Sequence, residues 1–167
     1  MKLFLLVLSI SIIISSCSQQ YYYVVRHAEK ETSAPGSTAM TADPPLSEAG
    51  KQRAEALKEI MQSKKIGYVF STNYNRTKST AEPTRAYFNL ATQNYNPVPD
   101  SVFIAKLKSL NKNTLIVGHS NTVDDIVNKL CGSVQVTGDL PETEYNNLFI
   151  IKKKGKKFTF QRTTYGK

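Results

Sequence analysis

The sequence predicts an α/β fold: a three-layer α/β/α sandwich around a mostly parallel central sheet with an antiparallel edge. Three observations carry that expectation. Apolar runs of strand length alternate with amphipathic helical segments, the pattern of parallel strands joined by helical crossovers. Two of those runs, "YYYVVRH" and "TLIVGH", end in the only two histidines of the 167 residues. The last stretch, "YNNLFIIKKKGKKFTFQRT", reads as a hairpin, with Gly155 at its turn.

The chain begins with a segment outside that pattern. Lys2 precedes an apolar run from Leu3 to Ile14, and Ser15 and Ser16 stand before Cys17. A basic start, a short apolar core and small residues before a cleavage point describe a secretory signal. The run is short for a bilayer span. The cysteine directly after "ISS" resembles a bacterial lipoprotein signal, in which Cys17 becomes the lipidated first residue. The expected division is a signal peptide over 1–16, the lipidated cysteine and a short tether over 17–20, and one domain over 21–167. Lipidation implies a bacterial cell envelope location, anchored to a membrane on its periplasmic or extracytoplasmic face. Removing the signal leaves 151 residues and lowers the formal charge from +9 to +8, because Lys2 is the one charged residue lost. That length still buries a real core. With Cys17 acylated, Cys131 has no partner for an internal disulfide.

Each element has its own signal. Tyr21 to Val25 is the first strand. Residues 31–46, "ETSAPGSTAMTADPPL", are rich in Pro, Ser and Thr without periodicity and read as a loop. Ser47 is a helix N-cap for the segment ending near Lys65, whose Ala54, Leu57, Ile60 and Met61 share one face. "IGYVFST" (Ile66 to Thr72) is a second buried strand. The segment from Asn73 to Leu90 follows as a helix expected to break or end near Pro83. "QNYNPVP" is a weak strand or extended loop, and Asp100 caps a helical segment beginning at Ser101. Thr114 to Ser120 is the next strand, and "TVDDIVNKLCG" a short helix stopped by Gly132.

The basic balance suits anionic partners without choosing among them. Nucleic acid is not expected: no recognisable motif is present, and aromatics do not interleave with a basic groove pattern. The densest basic run, Lys152 to Lys157, reads as a solvated turn, with contact to lipid headgroups as the lesser possibility.

The histidines organise the rest. In layered α/β sheets, ligands bind beyond the carboxyl ends of the strands, which sets His27 and His119 on one rim. Arg26 precedes His27, and Arg76 follows the second strand near the start of its helix. Guanidinium forks match phosphate oxygens bidentately, and a neutral imidazole can attack phosphorus. The remaining cationic groups would hold the equatorial oxygens during in-line transfer. Zinc is the competing reading for paired histidines, but two histidines flanked by arginines, with no nearby cysteine, make a poor cation site. No metal is expected.

"RHAEK", "PLSEAGKQRAEAL", "STNYNRTKSTAEPT", "VGHSNTV" and "EYNNLFII", in this order, resemble the histidine phosphatase superfamily of the phosphoglycerate mutase-like fold, and the small size resembles its single-domain phosphatases. The resemblance implies a phosphoric monoester hydrolase without cofactor or metal, acting on a phosphorylated small molecule or a phosphoprotein. His27 would be the nucleophile, forming a phosphohistidine that water hydrolyses. Arg26, Arg76 and His119 would bind the phosphoryl group. The mechanism needs His27 neutral at its attacking nitrogen, which a carboxylate or carbonyl on the other ring nitrogen would arrange.

Two positions depart from the family pattern. Ala28 stands where the family usually has Gly, and its methyl is expected to narrow the pocket. The leaving-group acid, which the family draws from between the second arginine and second histidine, is assigned to Asp100. Glu29, Glu82, Asp124 and Asp125 are alternatives. A leaving group that departs easily, such as an acyl phosphate or phosphohistidine, would need no strong acid. Lys30 either contacts substrate at the mouth or pairs with a loop carboxylate. Thr80 and Ser120 either donate to phosphate or cap backbone. The rival functions are a phosphate-binding lipoprotein without turnover and a phosphomutase. The mutase would have to exclude water from its intermediate, and little chain is spare for a closing cap.

Overall fold

The computed structural model describes residues 19–31 and 43–166. The signal segment, Cys17 and the loop residues 32–42 lie outside them. The elements are β1 (Gln19–Arg26), α1 (Glu48–Met61) with a 3-10 turn at Gln62–Lys64, β2 (Ile66–Thr72), α2 (Asn75–Tyr87), β3 (Thr92–Tyr95), α3 (Ser101–Ser109), β4 (Asn113–Gly118), α4 (Val123–Cys131), β5 (Asn147–Lys154) and β6 (Lys157–Thr164). They form one six-stranded sheet in the order β3-β2-β4-β1-β5-β6. The pairs β1·β4, β2·β4 and β2·β3 are parallel, whereas β1·β5 and β5·β6 are antiparallel.

Side chains along buried strands alternate between two faces, and each face supplies half of the core. Tyr22, Val24, Phe70 and Ile116 meet Phe103 and Leu107 of α3 and Ile126, Val127 and Leu130 of α4. Tyr23, Val25, Val69, Leu115 and Val117 face Leu57 and Met61 of α1 and Ala81 of α2. Two helices on each face make the three layers. Each fully buried Leu or Phe contributes about 1.5–3 kcal/mol relative to exposure.

The helix ends follow their sequence signals. The Ser47 side chain accepts a hydrogen bond from the Gly50 amide, and the Asp100 carboxylate accepts one from the Phe103 amide at 2.7 Å. The Gly132 amide bonds the Asn128 carbonyl and ends α4 in the left-handed region.

Two elements differ in extent from expectation. β1 begins at Gln19, because Gln19 and Gln20 pair with Lys154 and Lys153 of β5, so the tether loses two residues to the sheet. The helix through Pro83 does not break there but continues to Tyr87. Its buried Thr77, Thr80, Ala81 and Thr84 lie on both sides of the proline along the seam with the sheet and α1. That packing outweighs the roughly 3 kcal/mol that an interior proline costs. The 31–46 loop is pinned at its base by a Lys30–Leu46 bridge. No helix among the described residues is long and apolar enough to cross a membrane.

Candidate active site

The sheet register builds the site. Arg26 is the partner of Gly118 across β1 and β4, so the residues that follow them, His27 and His119, leave the sheet side by side. The His27 amide donates to the Gly118 carbonyl at 2.9 Å, and the two imidazoles stand edge to face with centroids 5.6 Å apart. Gly118 is required by close approach: a Cβ there would lie 2.7 Å from the Tyr95 hydroxyl oxygen. Arg76, in the first turn of α2, reaches the same rim. Arg26, His27, Lys30, Arg76, His119 and Glu142 are among the residues lining one pocket of about 260 Å³.

The hydrogen bonds assign the tautomers. His27 Nδ1 lies 2.8 Å from the Ala28 carbonyl oxygen, which can only accept. Nδ1 therefore carries the proton, and Nε2 keeps its lone pair. Burial, followed by the charges of Arg26 and Arg76 acting against the Ala28 bond, pushes this imidazole down to about 3. At neutral pH the His27 imidazole is uncharged, with its lone pair on Nε2.

His119 is fixed by a short relay. The Thr77 hydroxyl donates to backbone carbonyls of Thr72 and Tyr74, each 3.0 Å away. Having one proton, it accepts from the Thr72 hydroxyl at 2.9 Å, and Thr72 Oγ1 in turn accepts from His119 Nε2, also at 2.9 Å. That leaves the His119 Nδ1 lone pair toward Arg76 Nη2, 3.5 Å away. Burial first, then Arg76 and Arg26, lower this imidazole to about 4. An incoming dianion would favour its protonation at Nδ1.

Arg26 is 1% exposed. Its Nη1 donates to the carbonyls of Pro141 and Glu144, and its Nη2 to Glu142 at 2.9 Å. Its buried Nε finds no acceptor among the described residues, leaving a donor for an oxyanion. Arg76 Nη1 meets Asp43 at 3.3 Å. Tyr145 lies under the Arg26 guanidinium at 4.2 Å, and Tyr74 under that of Arg76 at 4.5 Å.

Some sequence expectations do not survive these positions. Asp100 does not line the pocket; its carboxylate caps α3 and is held by the Phe103 amide. The Ala28 methyl does not narrow the pocket either, because it packs with Leu46 and Ala54. Thr80 spends its hydroxyl on the backbone, donating to the Arg76 carbonyl and accepting from the Ala28 amide. Glu29 grips Arg53 through both carboxylate oxygens, Glu82 pairs with Arg85, and Asp125 pairs with Lys129. Asp124 is buried in the first turn of α4, outside the pocket lining. Lys30 does line the pocket and lies 3.9 Å from Glu142. Ser120 lines it too, its hydroxyl 3.4 Å from the same carboxylate.

Glu142 and Tyr74, which line the pocket, and Asp43 and Tyr145, which hold its arginines, went unrecognised in the sequence. Asp43 and Glu142 sit in loops, where no periodicity marks a partner. Burial raises the Glu142 carboxyl, but Arg26 and then Lys30 hold it below the usual carboxylate range. Among the described residues, no group of three or more His, Cys, Asp or Glu side chains could share a metal ion.

Comparisons with known proteins agree with this layout. Residues 22–96 match the family model described as the histidine phosphatase superfamily (branch 1). Curated protein sequences give no match. Among solved structures, the protein histidine phosphatase SixA complexed with tungstate superposes with a TM-score of 0.66 at 17% identity, covering 86% of this chain and 96% of that one. A phosphoglycerate mutase from Bacillus anthracis gives 0.60 at 14% identity, covering 88% and 93%. A mycobacterial glucosyl-3-phosphoglycerate phosphatase gives 0.57 at 9% identity, covering 89% and 99%. At such identities the superpositions establish the fold, while the matched segment carries Arg26, His27 and Arg76. The chain thus has the phosphoglycerate mutase-like fold, and its residues 22–96 are similar to the histidine phosphatase superfamily.

Proposed function

We propose that this protein is an exported, lipid-anchored, metal-independent phosphatase that works through a phosphohistidine on His27. The observation that carries the reading is the neutral His27 Nε2, set among Arg26, Arg76 and His119 with an unused Arg26 Nε–H. In the first step Nε2 attacks phosphorus, the N–P bond forms, and the leaving group departs with the electron pair of the broken P–O or P–N bond. Water then attacks phosphorus, orthophosphate leaves with the water oxygen, and Nε2 regains its lone pair. Arg26, Arg76 and a protonated His119 hold the oxygens in both steps.

The substrate class follows from the missing acid. Among the described residues lining the pocket Glu142 is the one carboxylate, and its ion pair with Arg26 keeps it ionised. Substrates whose leaving group needs little protonation are therefore favoured: a phosphohistidine, an acyl phosphate or an aryl phosphate. The SixA likeness, to a protein described as a protein histidine phosphatase, supports the same class.

The test is turnover of an aryl phosphate series of graded leaving-group pKa with EDTA present. Turnover in EDTA that falls steeply as leaving-group pKa rises is the expected result. Loss of activity in EDTA, or a flat dependence on leaving group, would sink the reading. Phosphate binding without any turnover would point instead to a binding module.

A further inference from the structure

The end of the domain opposite the pocket is strongly basic. β1 runs from Gln19 at that end to Arg26 at the pocket, about 23 Å at 3.3 Å per residue. The parallel strands start there, and two of them are introduced by lysines: Lys64 and Lys65 before β2, Lys112 before β4. The β5–β6 hairpin turns at the same end, bringing Lys152, Lys153, Lys154, Lys156 and Lys157.

Hydrogen bonds tie these groups together. The Gln20 side-chain amide donates to the Lys112 carbonyl, the Asn113 amide to the Lys64 carbonyl, and Lys153 Nζ to the Lys108 carbonyl at the end of α3. The segments that build this end hold no acid to offset them, since residues 60–81, 101–123 and 145–167 contain no Asp or Glu. Glu59, on the last turn of α1, is the carboxylate that comes nearest along the chain. A depression of about 400 Å³ lined by Tyr21, Lys64, Lys65 and Asn113 opens here.

The chain also arrives here. Gln19 pairs with Lys154, and Cys17 precedes Gln19 by two residues in the sequence. We propose that this lysine-rich end is a docking surface for an anionic phospholipid bilayer, holding the domain with its pocket facing away from the membrane. The orientation rests on Cys17 carrying the lipid, whereas the surface rests on the lysines alone. Lysines near an anionic membrane surface contribute about 1 kcal/mol each, so a polybasic patch binds such a surface in its own right. The consequence for the enzyme is a water-borne substrate, a small phosphorylated molecule or phosphoprotein, rather than a headgroup of the same bilayer.

The full chain is offered phosphatidylcholine vesicles with and without phosphatidylglycerol. A preference of about tenfold or more for the anionic vesicles is expected at low salt, collapsing as salt rises. Replacing Lys65, Lys154, Lys156 and Lys157 together by Gln should abolish that preference while aryl phosphate turnover stays at the parent rate, which reports an intact fold. Absence of preference in the parent chain, or its survival in the four-lysine variant, would overturn the proposal. Cys17→Ser separates the surface from the anchor. Preference persisting in that chain supports the surface even if the anchor reading fails, and preference lost with it overturns the surface. Capture by a DNA duplex in place of the vesicles would overturn it in favour of nucleic acid.

Discussion

Replacing Glu142 by Gln should tighten phosphate binding without impairing chemistry on a good leaving group. Arg26 is almost fully buried, whereas the Glu142 side chain is 68% exposed, so water screens their 2.9 Å pair from one side. The carboxylate matters more to a ligand, because it presents a negative charge at the rim where a dianion must settle. Taking roughly 6 Å between the charges in the dielectric of water gives about 0.7 kcal/mol of repulsion per phosphoryl charge. Glutamine removes that repulsion and keeps an acceptor for the Arg26 guanidinium. A gain of about three- to tenfold in phosphate affinity follows, at 1.4 kcal/mol per tenfold. The assay is competitive inhibition of aryl phosphate turnover by inorganic phosphate, repeated at raised salt, where the gain should shrink. Weaker phosphate binding would show that the pair holds Arg26 in its binding pose. A fall in kcat that deepens as the leaving group worsens would show that Glu142 donates the proton, and either result would refute the reasoning.

The two imidazoles make stability depend on pH. Both are lowered from 6.5, His27 to about 3 and His119 to about 4. The unfolded chain thus binds more protons between these values, and the contribution present above pH 6.5 is lost as pH falls. At pH 5 the loss is about 2 kcal/mol per histidine, to be read from urea denaturation, and a stability flat down to pH 5 would contradict the assignment. Thr72→Val should leave His119 Nε2–H without an acceptor and cost about 1–3 kcal/mol of stability. It should raise KM more than it lowers kcat, and the Nε2–H tautomer signature in nitrogen NMR should weaken; an unchanged imidazole spectrum would dismiss the relay.

What the sequence disclosed and what it withheld divide along physical lines. "VVRH" and "IVGH" show apolar strands ending in histidine, and parallel pairing obliges such ends to meet, so Arg26, His27 and His119 were legible together. Arg76 was legible because the turn after β2 is short. Ser47 and Asp100 announced themselves as caps, and for Asp100 that local bond is why it is not the acid. Glu142, Asp43, Tyr74 and Tyr145 were invisible as partners, because each reaches the pocket through loop or turn geometry that no periodicity encodes. Pro83 misled for the opposite reason: its local cost is real, but the buried threonines on either side outweigh it. Ala28 misled because a missing glycine says nothing about which way the methyl points.

The account turns on a covalent bond to His27, and trapping it is the most direct measurement. A fast-reacting labelled phosphoryl donor would be mixed with excess enzyme and quenched in alkali, where phosphohistidine survives. Acid-labile label on a peptide containing His27, formed and lost at rates that accommodate turnover and absent from His27→Ala, is the predicted result. Turnover with no label on His27, or label that persists after the substitution, would contradict it.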